Sequence, residues 1–138
     1  MIAIARRDWP QAEFRVGDLL DIPAADGEFG AVIAFYSVIH LAPGELPRAF
    51  AEICRVLRPG GRFLVSFHIG SEVRHLDEWL GHAVDVDFRF YEPAGVAAAL
   101  EQAGLRVEMR LERVSYPGEV DTRRGYLQAR RSPARGLG

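Results

Sequence analysis

His68, Glu72, His75 and His82, with Trp79 among them, form the densest gathering of ligand-type side chains in the 138 residues. A helical metal site would set two ligands four residues apart. His75 and His82 are seven apart and His68 belongs to a separate apolar run, so no metal site is expected. A substrate lid suits the same stretch. His68 would stand beyond the carboxyl end of a strand, Trp79 and Phe90 would supply apolar walls, and His75, Arg89, Tyr116 and Glu119 would add polarity. Ordinary packing beneath a charged surface is the competing reading. Two more groups stand where strands end: Asp18 with Leu19, and Tyr36 and Ser37 with His40. Asp18 by itself suits a solvated turn. Tyr36 offers a flat apolar face with a polar tip, and His40 suits a base or a packed, hydrogen-bonded imidazole. Cys54, the single cysteine, sits beside Ile53 and reads as a small core or boundary residue. No Ser-His-Asp or Cys-His arrangement is readable, and no catalytic residue is assigned.

The frame for these groups is residues 31–67. Two short apolar runs, AVIAFY and RFLVSF, flank an amphipathic segment and a Pro-Gly-Gly turn. Runs apolar at adjacent positions suit parallel strands covered on both faces, and parallel strands need a crossover of about a dozen residues. Residues 45–57 supply it as a helix. Pro47 is tolerated near its start, and Leu46, Phe50, Ile53 and Leu57 make one apolar stripe. Glu45, Arg48, Glu52 and Arg55 fall on the solvated side.

Around this unit the pattern predicts a helix over 1–8 ended by Trp9-Pro10, a short strand over 13–16, and a loop through Leu19 to Pro23. Residues 71–81 predict a short helix on the spacing of Val73, Leu76 and Leu80. Residues 84–90, VDVDFRF, alternate strictly and predict a half-exposed strand or lid segment. Pro93 to Ala103 predicts a helix stopped by Gly104. Strands over 105–114 and 123–130 follow, and their short connection makes them antiparallel. Residues 132–138 read as a disordered tail.

Net charge is −2, and all seventeen basic residues are arginine. Arg130, Arg131 and Arg135 are their only dense cluster, which argues against a nucleic-acid surface. No stretch is long and apolar enough to span a bilayer, and the first residues lack a signal-peptide core. With no disulfide framework, a cytoplasmic setting is expected.

EFRVGDLLDIP, FGAVIAFYSVIHL and ELPRAFAEICRVLRPGGRFLVSF, in that order, resemble the class I S-adenosylmethionine-dependent methyltransferases. AGVAAALEQAGLRVE resembles the family's segment before its closing strand pair. The resemblance implies an α/β, Rossmann-like sheet of order 3-2-1-4-5-7-6, with residues 13–16 as the third strand and 31–36 as the fourth. It implies that Asp18 accepts from the adenine amine and that the Leu19 N–H serves the ring, while Tyr36, Ser37 and His40 border the methionine part. A small-molecule methyl acceptor would be the partner.

The family holds the cofactor's carboxypropyl end on a glycine-rich loop after its first strand, and these residues contain no such loop. Gly60-Gly61 precede a strand rather than follow one. The family's usual Asp before the Ala-Val of the fourth strand is Gly30 here. The expectation is therefore a partial methyltransferase domain over 1–131, lacking the first two strands, roughly forty to sixty residues. Weak or absent cofactor binding, impaired activity and self-association through an exposed sheet edge follow as expectations. A catalytically inactive remnant serving as an interaction module is the alternative, and a nicotinamide-dependent enzyme a weaker one, since it lacks its glycine fingerprint equally.

Overall fold

A computed structural model describes residues 2–79 and 81–133, apart from the Trp79 side chain. The expected Trp79 wall and residues 134–138 of the expected tail lie outside the described set. In chain order the elements are α1 (Ile2–Asp8), β1 (Phe29–Phe35), α2 (Leu46–Val56), β2 (Leu57–His68), β3 (Val73–Trp79), β4 (His82–Arg89), α3 (Pro93–Gln102), β5 (Leu105–Arg113) and β6 (Arg124–Arg131). The main sheet runs β1-β2-β6-β5. β1 and β2 are parallel, joined by α2, and β6 is antiparallel to both β2 and β5. This is the 4-5-7-6 portion of the expected Rossmann-like order, closing strand pair included.

Between the pairs Phe29–Leu57 and Ala31–Arg62, the segment 58–61 bulges out of the ladder. Gly60 takes φ 78°, and a Cβ on Gly61 would meet the Arg58 carbonyl at 2.8 Å. The Pro-Gly-Gly turn is thus a kink within a long strand. Beyond it Phe63, Val65 and Phe67 alternate toward the helices and are fully buried with Phe50, Leu57, Leu100, Leu105 and Leu127. Each such side chain contributes about 1.5–3 kcal/mol on burial. The expected stripe of α2 is confirmed, with Ala49 and Val56 joining it.

Two expectations are corrected. Residues 13–16 form no strand, and β1 is an edge of the sheet among the described residues. Four residues offer too few ladder bonds, and side chains hold this segment instead. Arg15 reaches Glu28 at 2.8 Å and the Pro23 carbonyl at 2.9 Å. Arg55 donates to the carbonyls of Ile22 and Ala24 and to Asp26 and Glu52, so the Glu52–Arg55 pair is a clamp rather than a solvated face.

The second correction is the stretch 71–81. It is not a helix: β3 pairs antiparallel with β4, with Gly81 at φ 80° in the two-residue connection. A helix of so few residues is marginal alone, whereas the alternating strand β4 needs a partner. Leu76 lies opposite Val86 in that pair. Phe90 donates to the Glu72 carbonyl and Tyr91 to that of His68, which ties the hairpin's base to the end of β2.

Candidate functional site

One cavity runs along β1 to Ser37 beyond its carboxyl end, and another lies at the carboxyl end of β2, the end at which ligands bind in open parallel sheets. The first is a groove of about 290 Å³ beside the open edge of β1, lined in part by Asp18, Leu19, Ile22, Ile33, Ala34 and Ser37. Asp18 and Asp21 form an isolated bridge, and Asp18 Oδ1 accepts the Leu20 N–H at 2.9 Å. Asp18 therefore shapes its own turn and retains a second carboxylate oxygen on the exposed side.

The second cavity, about 230 Å³, lies under the β3–β4 hairpin and is lined by His68, Arg74, Leu76, Phe88, Phe90, Val120 and Thr122. Tyr36 stacks on His68 with centroids 5.0 Å apart, and the Phe90 ring lies tilted against His68 at 5.5 Å. Arg74 covers the far face of that stack, 4.7 Å from the Phe90 ring. His68 Nδ1 pairs with Thr122 Oγ1 at 2.7 Å. Burial, and then the nearby Arg124 and Arg74 charges, push the His68 pKa down, which favours the neutral imidazole.

Tyr36 carries φ 54°, the one non-glycine positive φ among the described residues. Its hydroxyl meets Tyr126 Oη at 3.2 Å and accepts from Arg124 at 3.2 Å. Arg113 donates to Tyr126 Oη and forks onto Glu119 at 2.8 and 3.1 Å. Arg124 is buried, with 7% of its side chain exposed, and lies 3.2 Å from Glu119. The Arg113 bonds hold the Glu119 carboxyl down at about 2. Burial raises the Tyr36 phenol, while the hydrogen bond with Tyr36 lowers that of Tyr126. The network fastens the 114–123 connection, and with it Val120 and Thr122, to the sheet. Ser66 Oγ and Arg124 Nε are buried without a partner.

The residues singled out in the sequence separate into groups. Asp18, Leu19 and Ser37 share the groove; Tyr36 belongs to the stack; His40 is exposed, with its ring 5.1 Å from that of Phe88 on the hairpin. Of the expected substrate residues, His68 lines the pocket, whereas His75, Arg89 and Tyr116 do not. His75 is exposed and bound to Asp77 and Asp87. Tyr116 is on another surface, with Arg113 4.0 Å above its ring. Arg113, Thr122, Arg124 and Tyr126 were missed. Arg124 and Tyr126 fall in register with Gln128 and Arg130 as the polar alternation of an amphipathic strand, so no local signal set them apart. Among the described residues, no group of three or more His, Cys, Asp or Glu is placed to hold a metal ion. No helix among them is long and apolar enough to cross a membrane.

Residues 1–61 match the family described as methyltransferase domain. The chain is 43% identical over 63 residues to an arsenite methyltransferase of Halobacterium salinarum, covering 46% of this chain and 16% of that one. Its fold superposes on an S-adenosylmethionine-dependent methyltransferase of Methanosarcina mazei with a TM-score of 0.76 at 12% identity, covering 88% of this chain and 68% of that one. The chain resembles the class I S-adenosylmethionine-dependent methyltransferases. The fold likeness extends to the 1,6-didemethyltoxoflavin-N1-methyltransferase of Burkholderia thailandensis, solved with 1,6-didemethyltoxoflavin and S-adenosylhomocysteine, at a TM-score of 0.71 and 16% identity. That match covers 95% of this chain and 56% of the other. The chain spans 16 to 27% of the length of the first curated methyltransferases it matches.

Proposed function

We propose that the chain takes part in S-adenosylmethionine-dependent methyl transfer to a small-molecule acceptor. In this reading the groove beside β1 takes the cofactor's adenine end and the pocket under the hairpin takes the acceptor. One observation carries it: Ser37 lines the groove, while the adjacent Tyr36 stacks on His68, which lines the pocket. The residues fit the adenine in part. Asp18 is acceptor-only when ionised and has one oxygen engaged, and Leu19 and Ile22 are half-buried apolar neighbours. The bound cofactor would supply a methyl group activated on a sulfonium. The chain's own contribution is alignment and exclusion of water, for which the hairpin and the stack are placed.

Weak cofactor binding by these residues alone is part of the proposal, because no glycine-rich loop follows a strand and Gly60-Gly61 lie in the bulge of β2. A cytoplasmic setting suits the free, half-buried Cys54, whose pKa burial raises. A second reading, an interaction module that self-associates, is favoured by the β1 edge, where Ile33 is 63% and Phe35 51% exposed. Calorimetry with S-adenosylmethionine and size-exclusion chromatography address both readings. Weak saturable binding, lost in Asp18→Asn, supports the first. Low-micromolar affinity would overturn the weak-binding claim. Binding indifferent to Asp18→Asn would overturn the adenine site, and a strictly monomeric elution would remove the second reading.

A further inference from the structure

Resting on the acceptor-pocket reading above, we infer that the pocket under the hairpin takes an uncharged planar aromatic molecule bearing a hydroxyl group, hydrogen-bonded to His68 Nε2. The walls favour a flat apolar body: Leu76, Phe88, Phe90 and Val120 supply most of the lining. The arginine charge in the lining is already answered. Arg74, the one charged side chain in the lining apart from His68, is 3.1 Å from Glu72. An ionised ligand would thus find no unpaired counter-charge, and desolvating it there would be costly.

One polar group is left over. His68 Nδ1 is engaged by Thr122, and Nε2 has no hydrogen-bond partner among the described residues. The Nδ1–Thr122 contact leaves two tautomers open: Nε2 is a donor in one and an acceptor in the other. An ammonium satisfies only the acceptor form and a carboxylate only the donor form. A hydroxyl satisfies both. The stack fixes the ring plane, because Tyr36 and Phe90 pack against His68 at interplanar angles of 29° and 32°. The hydroxyl must therefore approach near that plane, with the aromatic body lying among Leu76, Phe88 and Val120.

The test uses the whole chain without cofactor and compares 2-naphthol, naphthalene and the 2-naphthoate anion as probes. Wild type should bind 2-naphthol about 10-fold tighter than naphthalene, the equivalent of one net hydrogen bond, and 2-naphthoate weakest. His68→Phe keeps a flat ring in the stack and should abolish the preference for 2-naphthol over naphthalene. Nitrogen NMR of wild type should show the His68 Nε2 resonance moving with 2-naphthol and not with naphthalene, a readout needing no variant. Equal affinity for naphthol and naphthalene, a preference that survives His68→Phe, or an unmoved Nε2 resonance would each overturn the inference. Since no cofactor is present, these outcomes are independent of whether the chain binds S-adenosylmethionine.

Discussion

Tyr36→Phe tests the network at the site with a single oxygen atom. The change leaves the backbone, the ring and its stack on His68 in place. It removes two hydrogen bonds of 3.2 Å, one from the Arg124 guanidinium and one shared with Tyr126. A neutral bond contributes about 0.5–1.5 kcal/mol net and one to a charged group about 1.5–3 kcal/mol. Both bonds here are long and both partners keep others: Arg124 holds the Val120 carbonyl at 2.9 Å, and Tyr126 accepts from Arg113 at 3.1 Å. The low ends apply, so the expected loss is about 2 kcal/mol. Urea titration followed by far-ultraviolet circular dichroism measures it, and hydrogen exchange should show faster opening in 114–123 than elsewhere. Tyr36→Gly relieves a left-handed residue, a gain of about 1 kcal/mol, yet also loses the stack and its buried ring. It should be less stable than Tyr36→Phe. A Tyr36→Phe protein within about 0.3 kcal/mol of wild type would show that the phenol fastens nothing, and the account of the network would fail.

Gly125→Ala should cost about 1–3 kcal/mol in the same titration, because its Cβ would lie 2.9 Å from the fully buried Phe67 ring. Arg55→Gln should free the 22–26 segment from α2, read as limited proteolysis there with the far-ultraviolet spectrum kept; unchanged cleavage would refute the clamp. His75 and His68 should respond to pH with opposite sign. Asp87 and then Asp77 raise His75, so its contribution to the hairpin is full below its unfolded value of 6.5 and fades as pH rises through the folded value. Burial lowers His68, so stability around it is full above 6.5 and falls as pH drops below that. Amide exchange in β3 and β4 against pH, in wild type and His75→Gln, separates the two, and a hairpin whose opening ignores alkaline pH in wild type would refute the His75 staple.

The β1-α2-β2 unit was legible because apolar spacing there answers to one period at a time: adjacent apolar residues in the strands, and spacings of three and four in the helix. The stretch 71–81 was not, because Val73, Leu76 and Leu80 satisfy a helical spacing by chance. What decided it was the need of β4 for a partner, which is visible only when both stretches are weighed together. Asp18, Leu19 and Ser37 line one groove although only Ser37 follows an observed strand, since the strand expected ahead of Asp18 does not form. Thr122 and Tyr126 were not legible, because nothing local in TRRGY says that Thr122 will reach His68, 54 residues away, or that Tyr126 will reach Tyr36, 90 away. His75 was misassigned since residue type marks it as a ligand, whereas its neighbours Asp77 and Asp87 make it a surface staple.

The left-handed turn at Tyr36 is the feature no pattern announces, and the site depends on it most. An extended chain leaving β1 would send Tyr36 and Ser37 to opposite sides but would carry both along the strand axis, away from β2. With φ at 54° the chain instead turns at once into the short helical turn Val38–His40, whose Val38 and Ile39 are buried. The Tyr36 ring is thereby brought under His68 at the end of the neighbouring strand, and Ser37 stays on the groove. Bulky residues avoid this conformation, so the surroundings must over-determine it: the Tyr36 N–H donates to the Ser66 carbonyl at 3.0 Å, the ring stacks, and the hydroxyl joins the arginine network. One strained residue thus joins the end of β1 to the end of β2, and the sheet, the stack and the network hold it from three sides.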